Sequence, residues 1–306
     1  MKLEGLHHVT AITGDAPRNL DFYVRVLGLR LVKKTVNQDQ PFVYHLFYGD
    51  EDGSPGHDLT FVDYPGALPG RAGAGMVHTI AVRVAGPAAL DYWAQRLGGE
   101  GVTVERSGAT LRFADPEGLR IELMVEDVGD EPLMAVSDVP AEHALQGFAG
   151  VRAFSARPER SATLLEEALA FRPLGGDRWV ARGKHRGSWV AYDTPPALPG
   201  SQSAGTVHHV AWAATEADQL TWRERVIAAG GVPTPVIDRH YFHSVYFREP
   251  SGVLFELATM GPGFTVDEPL EHLGERLSLP PLLEGRRAEI ERTLAPLPTP
   301  ARVGAA

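Results

Sequence analysis

Short apolar runs, each closed by glycine, proline or aspartate, recur along the whole chain and alternate with stretches of helical spacing. The first run, LHHVTAIT, is followed by Asp15 as an N-cap, Pro17 in a first helical turn and Gly28 just past the helix end. LRLVKKTV, FVYHLFYG and HDLTFVDY then read as strands. The order returns in MVHTIAVRV, a helix after Pro87 stopped at Gly98-Gly99, and VTVERSG, ATLRFAD and GLRIELMVE. It returns again in FAGVRAFSA, a helix from Pro158 through Leu169, DRWVARGK and GSWVAYD. A fourth unit opens on TVHHVAWAA, starts its helix with Thr215 and Asp218 as an acidic capping box, ends it at Gly230-Gly231 and closes on VLFELAT.

Two segments match without a gap. PGALPGRAGAGMVHTIA at residues 65–81 repeats as PPALPGSQSAGTVHHVA at residues 195–211, so the second half of the chain duplicates the first. The expected organisation is residues 1–126 for units one and two, 127–146 as a linker, 147–264 for units three and four, and 265–306 as a tail. The tail carries LPPLL and an amphipathic helix near Glu284 to Leu294.

Composition narrows the function. With 306 residues, 43% of them hydrophobic, the chain can bury two domain-sized cores. A net charge of −10 argues against nucleic-acid and anionic-membrane partners. The absence of cysteine excludes disulfides, thiol nucleophiles and thiolate ligands, which leaves His, Asp and Glu to hold any metal. No run approaches the roughly 20 apolar residues of a membrane span, and the N-terminus lacks a signal-peptide pattern, so a cytoplasmic location is expected.

One charged residue stands out. Glu256 is the sole charge in VLFELAT, and a buried carboxylate must be neutralised, hydrogen-bonded or bound to a metal. The same unit opens on His208-His209, and unit one opens on His7-His8.

Strand, helix and further strands, four times over, resembles the vicinal oxygen chelate superfamily, the glyoxalase and bleomycin-resistance-like proteins. The resemblance sharpens to the ring-cleaving, extradiol-type dioxygenases that act on hydroquinones, through GLHHVT, DRHYFHSVYFREPSGVLFELATMGPGF and LSLPPLLEGRRAEIERTL. It implies an α+β fold of four βαβββ modules forming two vicinal-oxygen-chelate barrels, with a C-terminal helical tail. Aligned as modules, the opening-strand position holds His8, Thr79, Gly150 and His209. The closing-strand position, four residues after a turn glycine, holds Thr60, Glu122, Ala191 and Glu256. If neighbouring units pair, two incomplete sites result, His8 with Glu122 and His209 with Glu256. If units one and four pair, His8, His209 and Glu256 form the two-histidine, one-carboxylate triad of non-haem Fe(II) oxygenases. The second pairing is preferred, with Glu122 a structural residue.

By the same resemblance, Tyr246 and Arg239 approach the substrate oxygens, Thr10 shares the face of His8, and His7 and His208 support the ligands and orient substrate or oxygen. Strand alternation alone places His7 and His208 behind the site or at its edge. His240 and His243 are candidates for the pocket mouth. The implied activity is Fe(II)-dependent cleavage of para-dihydroxy aromatic rings with O2, Mn(II) suiting the same ligands. The implied partners are a small diphenol and O2, in a monomer or homo-oligomer. The alternatives are a catechol-type extradiol dioxygenase, a metal-free binding protein, or a glyoxalase-like isomerase or lyase, which commonly uses four protein ligands and would meet Thr60 in the fourth place.

Overall fold

The computed structural model describes residues 1–298 and 300. Unit one comprises β1 (Leu6–Thr13), α1 (Ala16–Leu20), β2 (Arg30–Asn37), β3 (Gln40–Gly49) and β4 (Asp58–Asp63). Unit two comprises β5 (Val77–Val84), α2 (Pro87–Gly99), β6 (Glu105–Ser107), β7 (Thr110–Ala114) and β8 (Arg120–Val125). Unit three has β9 (Phe148–Phe154), β10 (Arg172–Pro173), β11 (Arg178–Arg182) and β12 (Gly187–Asp193). Unit four has β13 (Val207–Ala214), α3 (Gln219–Ala228), β14 (Ile237–Asp238), β15 (Phe242–Arg248) and β16 (Leu254–Pro262).

The helix signals act locally, with one departure, in unit four. Asp15 Oδ1 accepts from the Arg18 N–H at 3.1 Å, and Gly28 leaves the helix with φ +68°. Unit three's helical run is unbroken from residue 158 to residue 168, as expected, but it changes type along its length. It opens as a 3-10 turn at Pro158–Ser161 and ends as a π-helical turn at Leu164–Ala168, and Ser161 donates its hydroxyl to Glu249 Oε2 at 2.5 Å, a tie to unit four. In unit four Thr215 Oγ1 accepts from the Asp218 N–H at 3.2 Å, but α3 begins only at Gln219 and Asp218 returns no side-chain bond.

Two eight-stranded mixed sheets result. One runs β14-β15-β16-β13-β1-β4-β3-β2 and the other β10-β11-β12-β9-β5-β8-β7-β6. Units one and four therefore share one sheet, and units two and three the other. Within units one and four the opening strand runs parallel to the closing strand, β1 on β4 and β13 on β16, because the helix forms a crossover between them. The units join through antiparallel opening strands, β1 on β13 and β5 on β9, which gives each sheet a pseudo-two-fold axis at its centre.

Both central joints are bulged in the same way. Leu6 pairs with Trp212 and Val9 with Val210, so β1 carries one extra residue at His7-His8. Thr10 pairs with His209 and Ala11 with Val207, so β13 carries one at His208. The β5/β9 joint has its extra residues at His78 and Ala149. A bulge breaks strict alternation and re-aims a side chain.

The main core buries Trp93, Trp212 and Trp222 completely, with α2 contributing Leu90 and Leu97 and α3 contributing Val226. The tail adds α4 (Pro281–Glu284) and α5 (Arg287–Thr293). Ile290 of α5 is fully buried, and Tyr44 of β3 donates to the Ala295 carbonyl at 2.8 Å. Lys33 of β2, wholly buried, is paired with Asp267 at 2.6 Å and with Glu268, which ties the start of the tail to the sheet of units one and four. No helix among the described residues is long and apolar enough to cross a membrane.

Candidate metal centre

At the centre of the sheet formed by units one and four, β1 contributes His8, β13 contributes His209 and β16 contributes Glu256. Glu256 Oε2 lies 3.2 Å from His8 Nε2 and 2.9 Å from His209 Nε2, and the two Nε2 atoms are 3.2 Å apart. All three residues are buried, and among the described residues this is the one group of His, Asp or Glu side chains whose ligand atoms converge in this way.

Protonation decides whether the group fits a cation. His7 Nε2 donates to the Thr259 carbonyl at 3.1 Å, and burial, reinforced by His8, pushes the His7 pKa down to about 3. Neutral His7 therefore has a bare Nδ1, which faces His8 Nδ1 at 3.0 Å and must accept its proton. His8 Nε2 is then an unprotonated lone pair aimed at Glu256 and His209. The arrangement repeats across the pseudo-two-fold, where His208 Nδ1 meets His209 Nδ1 at 2.8 Å. His208 is more open than His7, and the shielding of its ring is the leading cause that lowers its pKa to about 4. Glu256 Oε2 itself is buried without a hydrogen-bond donor. Three acceptor atoms held within van der Waals distance in a dry site repel one another unless a cation lies between them, so the donor set fits a divalent metal.

The bulges bring about these His-His contacts. Strict alternation would send His7 away from His8, whereas in the structure their rings meet edge-on at 5.1 Å, as do those of His208 and His209. His7 is buried behind its neighbour, and His208 is exposed beside the cavity. Ser244 steadies the remaining carboxylate oxygen, its hydroxyl donating to Glu256 Oε1 at 2.5 Å.

A cavity of about 220 Å³ opens on the group, bounded by His8, His209, Thr10, Arg239 and Tyr246, with Phe47, Phe242 and Leu254 as apolar walls. Tyr246 stands edge-on to His209 at 5.6 Å, and burial, then Glu256, raise its pKa so that the phenol keeps its proton. Arg239 Nε donates to Tyr246 Oη at 3.4 Å, while its two terminal nitrogens grip Asp39 at 3.0 and 3.1 Å. Asp39 thereby offsets the burial of the guanidinium and keeps it charged. Gln38 donates to the Arg239 carbonyl at 2.7 Å, so the β2–β3 turn clasps a residue 201 positions away. Thr10 accepts from Thr60 at 2.9 Å.

His240 and His243 are not at the mouth. His243 pairs with Glu216 at 3.1 Å and His240 with Asp267 at 3.4 Å, and neither bounds the cavity. Glu122 accepts from Arg112 at 3.0 Å. The chain reading missed Ser244, Asp39, Gln38 and His45. For His45 a signal exists, since β3 holds no other His and no Asp, Glu, Lys or Arg.

Paired βαβββ units around such a donor set define the vicinal oxygen chelate class. The chain belongs to the Glyoxalase/Bleomycin resistance protein/Dioxygenase superfamily, whose model matches residues 5–123 and 147–257. It is 40% identical over 315 residues to MhqA of Bacillus subtilis, named as a candidate ring-cleaving dioxygenase, covering 97% of this chain and 100% of that protein. It is 35% identical over 318 residues to the chlorohydroquinone/hydroquinone 1,2-dioxygenase of Sphingobium indicum, covering 96% of each. A crystal structure of a candidate dioxygenase from Bacillus subtilis superimposes with a TM-score of 0.91 at 39% identity, covering 98% of this chain and 99% of that one.

Proposed function

We propose that the protein is an Fe(II)-dependent dioxygenase that opens hydroquinone-type rings with O2, with His8, His209 and Glu256 as the protein ligands. The observation that carries this reading is the convergence of the Nε2 atoms of His8 and His209 and a carboxylate oxygen of Glu256 beside a cavity walled by aromatic side chains. Three ligands on one face leave room for substrate and O2, the arrangement used by non-haem iron oxygenases. The names carried by MhqA and the Sphingobium enzyme point the same way. Mn(II) accepts nearly the same ligands. A bound Fe(II) contributes one-electron exchange with O2 and polarises a phenolic oxygen.

The chain's own residues bind and orient. Tyr246 keeps its proton and is a hydrogen-bond donor toward a phenolic oxygen at the ligand group. Arg239, held by Asp39, supplies a fixed positive charge beside Tyr246 that favours negative charge developing on the substrate. His7 and His208 set the tautomers of His8 and His209, so their Nε2 lone pairs face inward. Phe47, Phe242 and Leu254 exclude water from the ring faces. The fourth ligand place of a glyoxalase-like isomerase holds Thr60, whose hydroxyl is spent on Thr10 and His45.

The test is metal analysis of anaerobically purified protein with an oxygen-electrode assay across hydroquinone, chloro- and methylhydroquinone and catechol. Iron near one equivalent and oxygen uptake with the para-diphenols are expected. No uptake with any diphenol by iron-loaded protein would refute the dioxygenase reading. A specificity constant for catechol at or above those for the hydroquinones would refute the substrate class alone.

A further inference from the structure

Strand register reveals what has replaced the missing fourth ligand. Between β15 and β16, Tyr246 lies opposite Glu256 and Ser244 opposite Ala258. Between β3 and β4, Phe47 lies opposite Thr60 and His45 opposite Val62. The pseudo-two-fold thus maps Thr60 onto Glu256 and His45 onto Ser244. The hydrogen bonds follow the mapping: Ser244 bonds Glu256, and His45 Nε2 bonds Thr60 Oγ1 at 2.9 Å. Unit one has exchanged a carboxylate and its hydroxyl support for a hydroxyl and an imidazole support.

The exchange leaves an acceptor in the cavity. Thr60 donates its proton to Thr10, so at the His45–Thr60 bond it is Nε2 that donates. Neutral His45 then carries a bare Nδ1, for which the described residues provide no hydrogen-bond partner, on a side chain that lines the cavity. Phe47 lies against the ring at 4.2 Å between centroids and fixes its orientation. Burial, the leading cause, holds the His45 pKa well below its ordinary value, and the Arg239 charge acts in the same direction, so the lone pair persists at neutral pH. The other polar groups beside the ligands mainly donate. Tyr246 and Arg239 are donors, and the Asp39 carboxylate is taken by Arg239 at both oxygens. A para-diphenol that reaches the metal through one oxygen brings a second hydroxyl whose hydrogen needs an acceptor.

We propose that His45 Nδ1 accepts the hydrogen bond of the substrate hydroxyl that does not reach the metal, and so selects hydroquinones over monophenols. This rests on the diphenol reading above. It makes His45 a specificity residue that touches substrate.

Two substitutions separate the two nitrogens. His45→Gln retains a donor to Thr60 and loses the acceptor at Nδ1, whereas His45→Asn retains a polar atom near Nδ1 and loses the Thr60 bond. The Fe(II)-loaded protein is titrated anaerobically by calorimetry with hydroquinone and with phenol, and metal content is measured in parallel. Wild-type protein is expected to bind hydroquinone roughly ten-fold or more tightly than phenol, the range of one buried hydrogen bond. In His45→Gln the hydroquinone affinity should fall to that of phenol, with phenol binding and iron content unchanged, and His45→Asn should keep part of the preference. A wild type without preference, a His45→Gln protein that keeps it, or equal weakening of both ligands in both variants would overturn the assignment. Preferential binding by a wild type that consumes no oxygen with any diphenol would instead refute the dioxygenase reading and leave the role of His45 standing.

Discussion

The two sheets are built alike and satisfied differently. Both join antiparallel opening strands through paired bulges, and both place a histidine at the first bulge, His7-His8 in one and His78 in the other. In the sheet of units two and three every corresponding group has a partner. His78 spends Nδ1 on Thr79 Oγ1 and Nε2 on Asp193 Oδ2, each at 2.9 Å, and stacks on Phe154. Gly150 replaces the second histidine, and Trp189 fills the place, since a Cβ on Gly150 would lie 2.3 Å from the indole. Glu122 takes its charge partner from Arg112, the residue opposite it on β7, where Glu256 faces Tyr246 on β15. In the sheet of units one and four, His8 Nε2, His209 Nε2 and Glu256 Oε2 are left facing one another. A shared backbone does not make a candidate metal centre; ligand atoms left to converge in a buried place do.

The sharpest way to break that contrast is to remove the equivalent glutamates. Glu256→Ala should abolish oxygen uptake and reduce bound iron, measured by elemental analysis, to a small fraction of an equivalent, as three ligands leave no redundancy. Glu122→Ala should keep iron and turnover and cost under about 1 kcal/mol, because its partner Arg112 is half exposed. The reverse outcome would move the metal to the other sheet.

Next in size is the residue behind a ligand. His7→Phe removes the acceptor that fixes the His8 tautomer, and the iron dissociation constant, followed by chelator competition, should rise about 10- to 100-fold. An unchanged constant would show that the Nδ1 contact does not orient His8.

Gly150→Ala probes the filled position. Its Cβ must displace Trp189, so the urea midpoint should drop by an amount worth about 1–3 kcal/mol while iron content stays at the wild-type value. Loss of iron with no loss of stability would contradict the separation of the two sheets.

The smallest effect concerns His78, whose pKa burial lowers to about 4 despite Asp193. Here the unfolded chain binds the proton more readily than the folded one, so this contribution to stability is complete above the unfolded pKa near 6.5 and is lost as the pH falls toward 4. The metal-free urea midpoint should decline over that window, and His78→Gln should flatten the decline. An identical slope in the variant would remove His78 from the account.

Much was legible along the chain because its causes are local. Turn glycines, the Asp15 cap, Pro87 and the apolar runs act over a few residues, so the four units and their βαβββ order could be read directly. The duplication then aligned His8 with His209 and exposed Glu256 as a lone charge in an apolar strand. The reading of caps was less secure, as in unit four, where α3 begins only at Gln219 and Asp218 returns no side-chain bond.

By itself, then, the sequence determined the module pattern, its repetition and the residue types able to bind a metal, since backbone periodicity and side-chain chemistry are carried by neighbouring residues. Only the tertiary structure decided between the two pairings of units, that bulges turn consecutive histidines toward each other, that Arg112 occupies Glu122, and that His45 supports Thr60 at the fourth ligand place. Each of these is a contact between strands, or a break in strand alternation imposed by a partner strand, and its geometry exists only once residues as far apart as His8 and His209, 201 positions in sequence, lie side by side.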